Sequence, residues 1–165
     1  MKEKALEKIK VFVFDVDGVL TEGSLILLPD GTQARVMNVK DGFGLQEALN
    51  MGFEIVIISK GNSPEVTKRL NLLGVKHVYM QEHNKIKRLE DVLDSLGYTF
   101  ENAIYIGDDI PDIECIKTVG YSACPLDAVE EVQDAVDFII PVLGGRGVAR
   151  HIIKKVLTAQ GKWKY

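Results

Sequence analysis

Short apolar runs and longer amphipathic segments alternate along the chain. Val11-Phe12-Val13-Phe14 is apolar at four consecutive positions, the pattern of a strand buried on both faces. Phe53 to Ile58 reads as a second such strand ending at Ser59, and Ala103 to Ile106 as a third ending at Gly107-Asp108-Asp109. His77 to Met80, Tyr121 to Ala123 and Phe138 to Ile140 are shorter candidates. Between these runs the spacing predicts helices near Gly42–Met51, Pro64–Leu73, Lys85–Leu96, Asp112–Val119 and Gly147–Ala159. Ser63 supplies an N-cap, with Pro64 at the first helical position and Glu65 in the first turn. Strands alternating with helices predict an α/β fold, a Rossmann-like parallel sheet with helices on both faces.

One segment breaks this rhythm. Leu25 to Leu28 and Gln33 to Val36 flank a Pro-Asp-Gly turn and predict a β-hairpin insertion at about 23–38. Leu25 to Leu28 is apolar on both faces, so a hairpin there wants a partner beyond its own two strands, which hints at contacts within an oligomer. No repeat, low-complexity tract or linker divides the chain. Residues 1–165 therefore read as a single domain, with a C-terminal tail at about 144–165.

Composition narrows the classes. Hydrophobic residues make up 46% and charged residues 27%, the balance of a globular protein with its own core. The net charge of −4 offers no nucleic-acid footprint. No apolar stretch is long enough to span a bilayer, and the charged, helix-prone start from Met1 to Lys10 does not read as a signal peptide. Cys115 and Cys124 form neither a metal pattern nor a disulfide framework. A soluble cytoplasmic protein is expected.

The chemistry concentrates where the first strand stops. Asp15 and Asp17, spaced i, i+2, are followed by Gly18 and then Thr21. A plain strand would point both carboxylates the same way. Two carboxylates side by side at the carboxyl end of a buried strand are costly unless a cation or a proton is shared. The pair predicts a Mg²⁺ site with one carboxylate left free for chemistry. A calcium loop also begins Asp-x-Asp, but its later ligand positions fall here on Val19 and Ile26, which cannot ligate. Other strand ends carry groups suited to a phosphoryl group: the hydroxyl of Ser59, the cation of Lys85, and Asp108 and Asp109 in Gly-Asp-Asp-Ile-Pro-Asp. Each alone is unremarkable, Asp109 and Asp112 being equally readable as first-turn helix acids. Their shared register at strand ends binds them into one site.

This set, in this order, resembles the haloacid dehalogenase superfamily of aspartate-nucleophile phosphotransferases, over almost the whole chain. The resemblance implies Asp15 as nucleophile and Asp17 as general acid and base. It implies Mg²⁺ held by Asp15, the backbone carbonyl of Asp17 and Asp108, with Asp109 and Asp112 orienting that shell. Ser59, Lys85 and backbone N–H groups after Asp15, Gly18 among them, would neutralise the transferring oxygens. Thr21 to Ile55 holds only the hairpin and one helix, so no cap domain is expected. Among capless members the pattern is similar to the sugar-acid phosphate phosphatases, above all the 3-deoxy-D-manno-octulosonate 8-phosphate phosphatase family of lipopolysaccharide sugar biosynthesis. Asn38-Val39-Lys40-Asp41-Gly42-Phe43-Gly44, Asn84-Lys85, Gly144 to Arg150 and Ala159 to Lys162 carry that likeness. The resemblance implies a homotetramer in which the hairpin and tail of one subunit reach a neighbour's site.

Two departures bear on the substrate. Ser59-Lys60-Gly61 stands where that family typically has Thr-Gly-Arg, and Lys40 where it often has Arg. A nine-carbon 2-keto sugar acid 9-phosphate is the rival substrate. Lys40, Lys60, Arg146 and Arg150 are the candidate cations for the sugar acid's carboxylate. A receiver-like signalling module is the alternative of another class. Receivers also combine acids, a hydroxyl and a lysine, but lack a carboxylate two residues after the phosphorylated aspartate.

Overall fold

The computed structural model describes residues 3–165; of the segment read as helix-prone at the start, Met1 and Lys2 lie outside the described residues. Among the described residues eight strands and seven α-helices follow one another. The strands are β1 (Val11–Phe14), β2 (Ile26–Leu27), β3 (Gln33–Ala34), β4 (Glu54–Ile58), β5 (His77–Tyr79), β6 (Ala103–Ile106), β7 (Tyr121–Pro125) and β8 (Phe138–Ile140). The helices are α1 (Glu3–Leu6), α2 (Val39–Asn50), α3 (Pro64–Leu72), α4 (Lys85–Leu96), α5 (Ile113–Thr118), α6 (Glu130–Ala135) and α7 (Val148–Ala159).

Six strands form one parallel sheet in the order β5-β4-β1-β6-β7-β8. β1 lies inside it, with Val11 beside Glu54 of β4 and Ala103 of β6. Its four side chains are fully buried because both sheet faces are covered. Phe12 and Phe14 enter a core with α2, α3 and α7, whereas Val11 and Val13 enter a second core with α4, α5 and α6. From β1 the chain moves out to β4 and β5, then returns to β6 on the other side of β1. That reversal leaves a crevice at the carboxyl ends of β1, β4 and β6, where open α/β sheets hold ligands.

Local chemistry sets the boundaries. Asn38 caps α2 by accepting from the Lys40 N–H at 2.8 Å, so the helix starts at Val39 rather than near Gly42. Ser63 caps α3 as expected. The predicted hairpin is real but short: β2 and β3 pair over two residues each. α6 was not predicted; its six residues bury only Val132, too weak a periodic signal. The segment 144–165 is no appendage. α7 buries Val148, Ala149, Ile152, Ile153, Val156 and Leu157 and forms a wall of the first core. No domain interrupts the sheet connections among the described residues, and none of their helices is long and apolar enough to cross a membrane.

Candidate active site

β1 delivers Asp15 to the crevice. Its N–H continues the ladder to the Ile106 carbonyl at 3.0 Å, after which the chain turns. The N–H groups of Val19, Leu20 and Thr21 all point at the Val16 carbonyl, and the Thr21 hydroxyl accepts from Gly18 and Gly23. This turn overrides strand alternation. Asp15 and Asp17 do not share an environment, as a continued strand would have required. Asp15 meets Lys85, whereas Asp17 meets Arg35.

Around Asp15 lies a buried polar cluster. Lys85, the first residue of α4, puts its Nζ 3.0 Å from Asp15 Oδ2 and 2.7 Å from Asp112 Oδ1. Asp112 is the hub. Its Oδ1 also accepts from the Tyr105 hydroxyl at 2.7 Å, and its Oδ2 faces the N–H groups of Asp108 and Asp109 at 3.2 and 3.4 Å. Gly107 is required here, because a Cβ would stand 2.5 Å from the Asp112 Cγ. Asp109 caps the short turn Ile110–Asp112 by accepting from the Ile110 N–H.

Asp108 completes the acidic set. Carboxylate oxygens of Asp15, Asp108 and Asp112 lie within 4.8 Å of one another. Gly18, in the left-handed region at φ 87°, leaves the space: a Cβ there would overlap Asp108 Oδ2. Asp108 Oδ1 is buried and accepts no hydrogen bond from the described residues. Burial, then the charges of Asp15 and Asp112, push the Asp108 carboxyl up to about 8. Burial and Asp112 push Asp15 up to about 6 against the pull of Lys85. Burial opposes the charge on Lys85, but Asp15 and Asp112 outweigh it and raise its pKa. Three carboxylates around a single lysine leave two negative charges in excess when all are ionised. Hard oxygen donors and an orphaned buried carboxylate oxygen fit a divalent cation such as Mg²⁺. Asp112 takes two contacts on each oxygen and Asp15 one on each, from the Val16 N–H and Lys85, while Asp108 Oδ1 has none, so Asp15 and Asp108 keep the lone pairs to ligate and Asp112 orients them.

The hydroxyl side sits opposite. Ser59 follows β4, is buried, and its Oγ accepts from the Gly61 N–H at 3.2 Å. A Cβ on Gly61 would lie 2.8 Å from Asp17 Oδ2, 3.1 Å from Arg35 Nη2 and 3.5 Å from Ser59 Oγ. Ser59, Asp17 and Arg35 thus converge on one glycine. The fold therefore gathers Asp15, Asp17, Gly18, Ser59, Lys85, Asp108 and Asp112.

The family described as haloacid dehalogenase-like hydrolase matches residues 49–152. The chain belongs to the haloacid dehalogenase-like hydrolases. It is 35% identical to the 3-deoxy-D-manno-octulosonate 8-phosphate phosphatase of Escherichia coli K12 over 156 residues, 94% of this chain and 83% of that protein. The phosphatase of that name from Moraxella catarrhalis, solved with a magnesium ion, a phosphate ion and a KDO molecule, superposes with a TM-score of 0.94 at 31% identity, covering 97% of this chain and 92% of that one. The cobalt-bound enzyme from Haemophilus influenzae gives 0.92 at 34% identity, covering 96% and 92%.

The candidate carboxylate cations are placed differently. Lys40 and Lys60 are exposed. Arg146 pairs with Glu22 at 2.9 Å on the surface. Arg150 is sandwiched between the Phe43 and Trp163 rings, 4.6 and 4.7 Å from their centroids, and so fastens the chain end to α2. Gly144 and Gly145 are not a hinge but a close contact, since Cβ atoms there would meet the Gly18 carbonyl and the Thr21–Glu22 backbone.

Two residues escaped the sequence reading. Arg35, on the hairpin, holds Asp17. Asp41, buried in the first turn of α2, accepts from the Arg150 N–H at 2.8 Å and caps α7, whose own N-cap, Gly147, has no side chain. Nothing in local spacing marks Arg35. Asp41 carried a faint signal, being an acid in the quoted Asn38–Gly44 segment.

Proposed function

We propose that this hydrolase is a Mg²⁺-dependent phosphatase of a 2-keto-3-deoxy sugar acid phosphate, with 3-deoxy-D-manno-octulosonate 8-phosphate as substrate and an aspartyl-phosphate at Asp15 as intermediate. The observation that carries this reading is the buried Asp15–Lys85–Asp112 cluster with Asp108 beside it. The related enzyme solved with magnesium, phosphate and KDO supports it. A cation held by Asp15, Asp108 and the Asp17 carbonyl would neutralise charge on the phosphoryl group.

The chain's own residues do the rest. An Asp15 carboxylate oxygen attacks phosphorus while the bond from phosphorus to the sugar oxygen breaks. Asp17 gives its proton to that leaving oxygen. Asp17 then takes a proton from the water that attacks phosphorus, and the bond to Asp15 breaks, releasing phosphate. Lys85 fixes Asp15 Oδ2 and balances the accumulating charge. Ser59 faces the phosphoryl oxygens, while the N–H groups of Val16 and of Gly18 to Thr21 bond within the turn itself. Gly18 leaves the space that the Asp108 carboxylate fills.

The departures at Ser59-Lys60-Gly61 and Lys40 favour a second reading of the same chemistry, a nine-carbon 2-keto sugar acid 9-phosphate. Exposed Leu25, Ile26, Leu27 and Leu28 support a homo-oligomer, a tetramer by resemblance, and the cytoplasm is the proposed location.

The test measures phosphate released from both sugar acid phosphates, with Mg²⁺ and with chelator, by the protein and by Asp15→Asn. Mg²⁺-dependent turnover on one of them, reduced by several orders of magnitude in the variant, is expected. Turnover unchanged by chelator, or by the substitution, would overturn the reading.

A further inference from the structure

Gly18 is gripped from two sides. On one, the Asp108 carboxylate fills the space that a Cβ would need. On the other, Gly144 and Gly145 run along the outside of the turn that follows Asp15. The Gly145 N–H donates to the Val19 carbonyl at 2.9 Å, and a Cβ on Gly144 would overlap the Gly18 carbonyl oxygen. The loop after β7 holds both sides of this grip. Asp127 Oδ1 accepts from the Gly144 N–H at 2.8 Å, and the Val129 N–H donates to the Asp108 carbonyl at 3.0 Å. That loop is itself pinned. The Leu126 N–H donates to the Val142 carbonyl at 3.0 Å, and the Gln133 amide donates to the carbonyls of Leu126 and Ala128 at 3.0 and 2.8 Å. Among the described residues, Gly144 alone donates a hydrogen bond to the Asp127 carboxylate.

Mg²⁺ demands near-ideal octahedral geometry, so the spacing of its ligands matters. Here the groups that would hold it come from two segments: Asp15 and the Asp17 carbonyl from the turn, and Asp108 from the end of β6. How closely Gly18 meets Asp108 sets the spacing of those segments. Close-packed groups pass a displacement on rather than absorb it. The geometry points to Asp127 as a positioning residue. By holding Gly144 against Gly18, it keeps the turn seated on Asp108 and so shapes the metal site from outside. This inference rests on the Mg²⁺ site of the phosphatase reading above.

The experiment measures Mg²⁺ binding by the full chain without substrate, from the rise in thermal midpoint with Mg²⁺ concentration at one pH. Asp127→Ala should weaken Mg²⁺ binding about tenfold, as expected for a group that supports metal ligands from outside. Asp127→Asn keeps an oxygen that accepts from Gly144 and should bind Mg²⁺ within about twofold of wild type. Gln160→Ala is the stability control. It removes hydrogen bonds to the Leu6 and Ile9 carbonyls at 2.8 and 2.9 Å, beyond the amino end of β1 and away from the crevice. It should lower the midpoint without Mg²⁺ yet leave Mg²⁺ binding unchanged. Wild-type binding by Asp127→Ala overturns the role of Asp127. Equal weakening in Asp127→Asn and Asp127→Ala also overturns it, because the charge rather than the held N–H would then matter. Equal weakening in Gln160→Ala overturns it as an effect of lost stability alone. No Mg²⁺ response in the wild-type protein overturns the metal reading, and the role of Asp127 with it.

Discussion

Lys85 and Asp112 stand 27 positions apart in the chain, yet their side chains meet at 2.7 Å with exposures of 4% and 0%. Lys85 opens α4, and Asp112 sits in the turn before α5. The same Lys85 reaches Asp15, so one ammonium joins three connections of the sheet. Removing one partner of a buried charged pair leaves the other uncompensated, which is costlier than the pair is worth.

Asp112→Ala should therefore destabilise the fold by about 3–5 kcal/mol. It leaves Lys85 with Asp15 alone and strands the Tyr105 hydroxyl and two backbone N–H groups. Asp109→Ala, which removes an exposed cap, should cost about 1 kcal/mol. Urea titrations of both variants check the contrast. Similar midpoints for the two would show that Asp112 is not the hub.

The acidic cluster makes metal binding compete with protons. With the Asp108 carboxyl raised to about 8 and Asp15 to about 6, the folded protein holds protons that the unfolded chain has released. Stability from these groups is fully present below their ordinary range near 3.8 and is lost as pH rises through about 6 and about 8. Bound Mg²⁺ replaces those protons, so the rise in thermal midpoint on adding Mg²⁺ should be larger near pH 8.5 than at about pH 5.5. Melting curves with Mg²⁺ and with chelator at each pH provide the measurement. A rise independent of pH would contradict the assignment.

The chain end separates into two parts. Deleting residues 163–165 removes the Trp163 ring from Arg150 and should lower stability by about 1–2 kcal/mol while leaving a folded protein. Deleting from Gly144 onward removes α7 and with it a wall of the core, and no cooperative melting should remain. Circular dichroism melts distinguish the two. A folded protein lacking residues 144–165 would contradict the packing of α7.

The hairpin tip should be covered in solution. Ile26 and Leu27 are 53% and 74% exposed, and with Leu25 and Leu28 they form one apolar patch. Ile26→Asp combined with Leu27→Asp should convert an oligomer to monomer in sedimentation at about micromolar concentration, because a charge buried at an interface core is strongly unfavourable. A wild-type protein already monomeric there would refute the assembly.

Much of the fold was legible because it is local. Four consecutive apolar residues at Val11–Phe14 can only suit a strand covered on both faces, and Ser63-Pro64 and Asn84-Lys85 carry their helix starts in their own side chains. Asp15, Ser59, Lys85 and Asp108 were legible for a related reason: a parallel sheet aligns strand ends, so polar residues that end apolar runs fall in one crevice. Tertiary structure decided what those residues bond. The turn after Asp15 parts it from Asp17, and Arg35 meets Asp17 only because the hairpin folds back. Asp41 caps a helix more than a hundred residues away, and Arg150 is held by rings from α2 and from the chain end. Spacing along a chain encodes periodicity and termini. It does not encode which distant partner satisfies a buried charge, because that partner is chosen by packing.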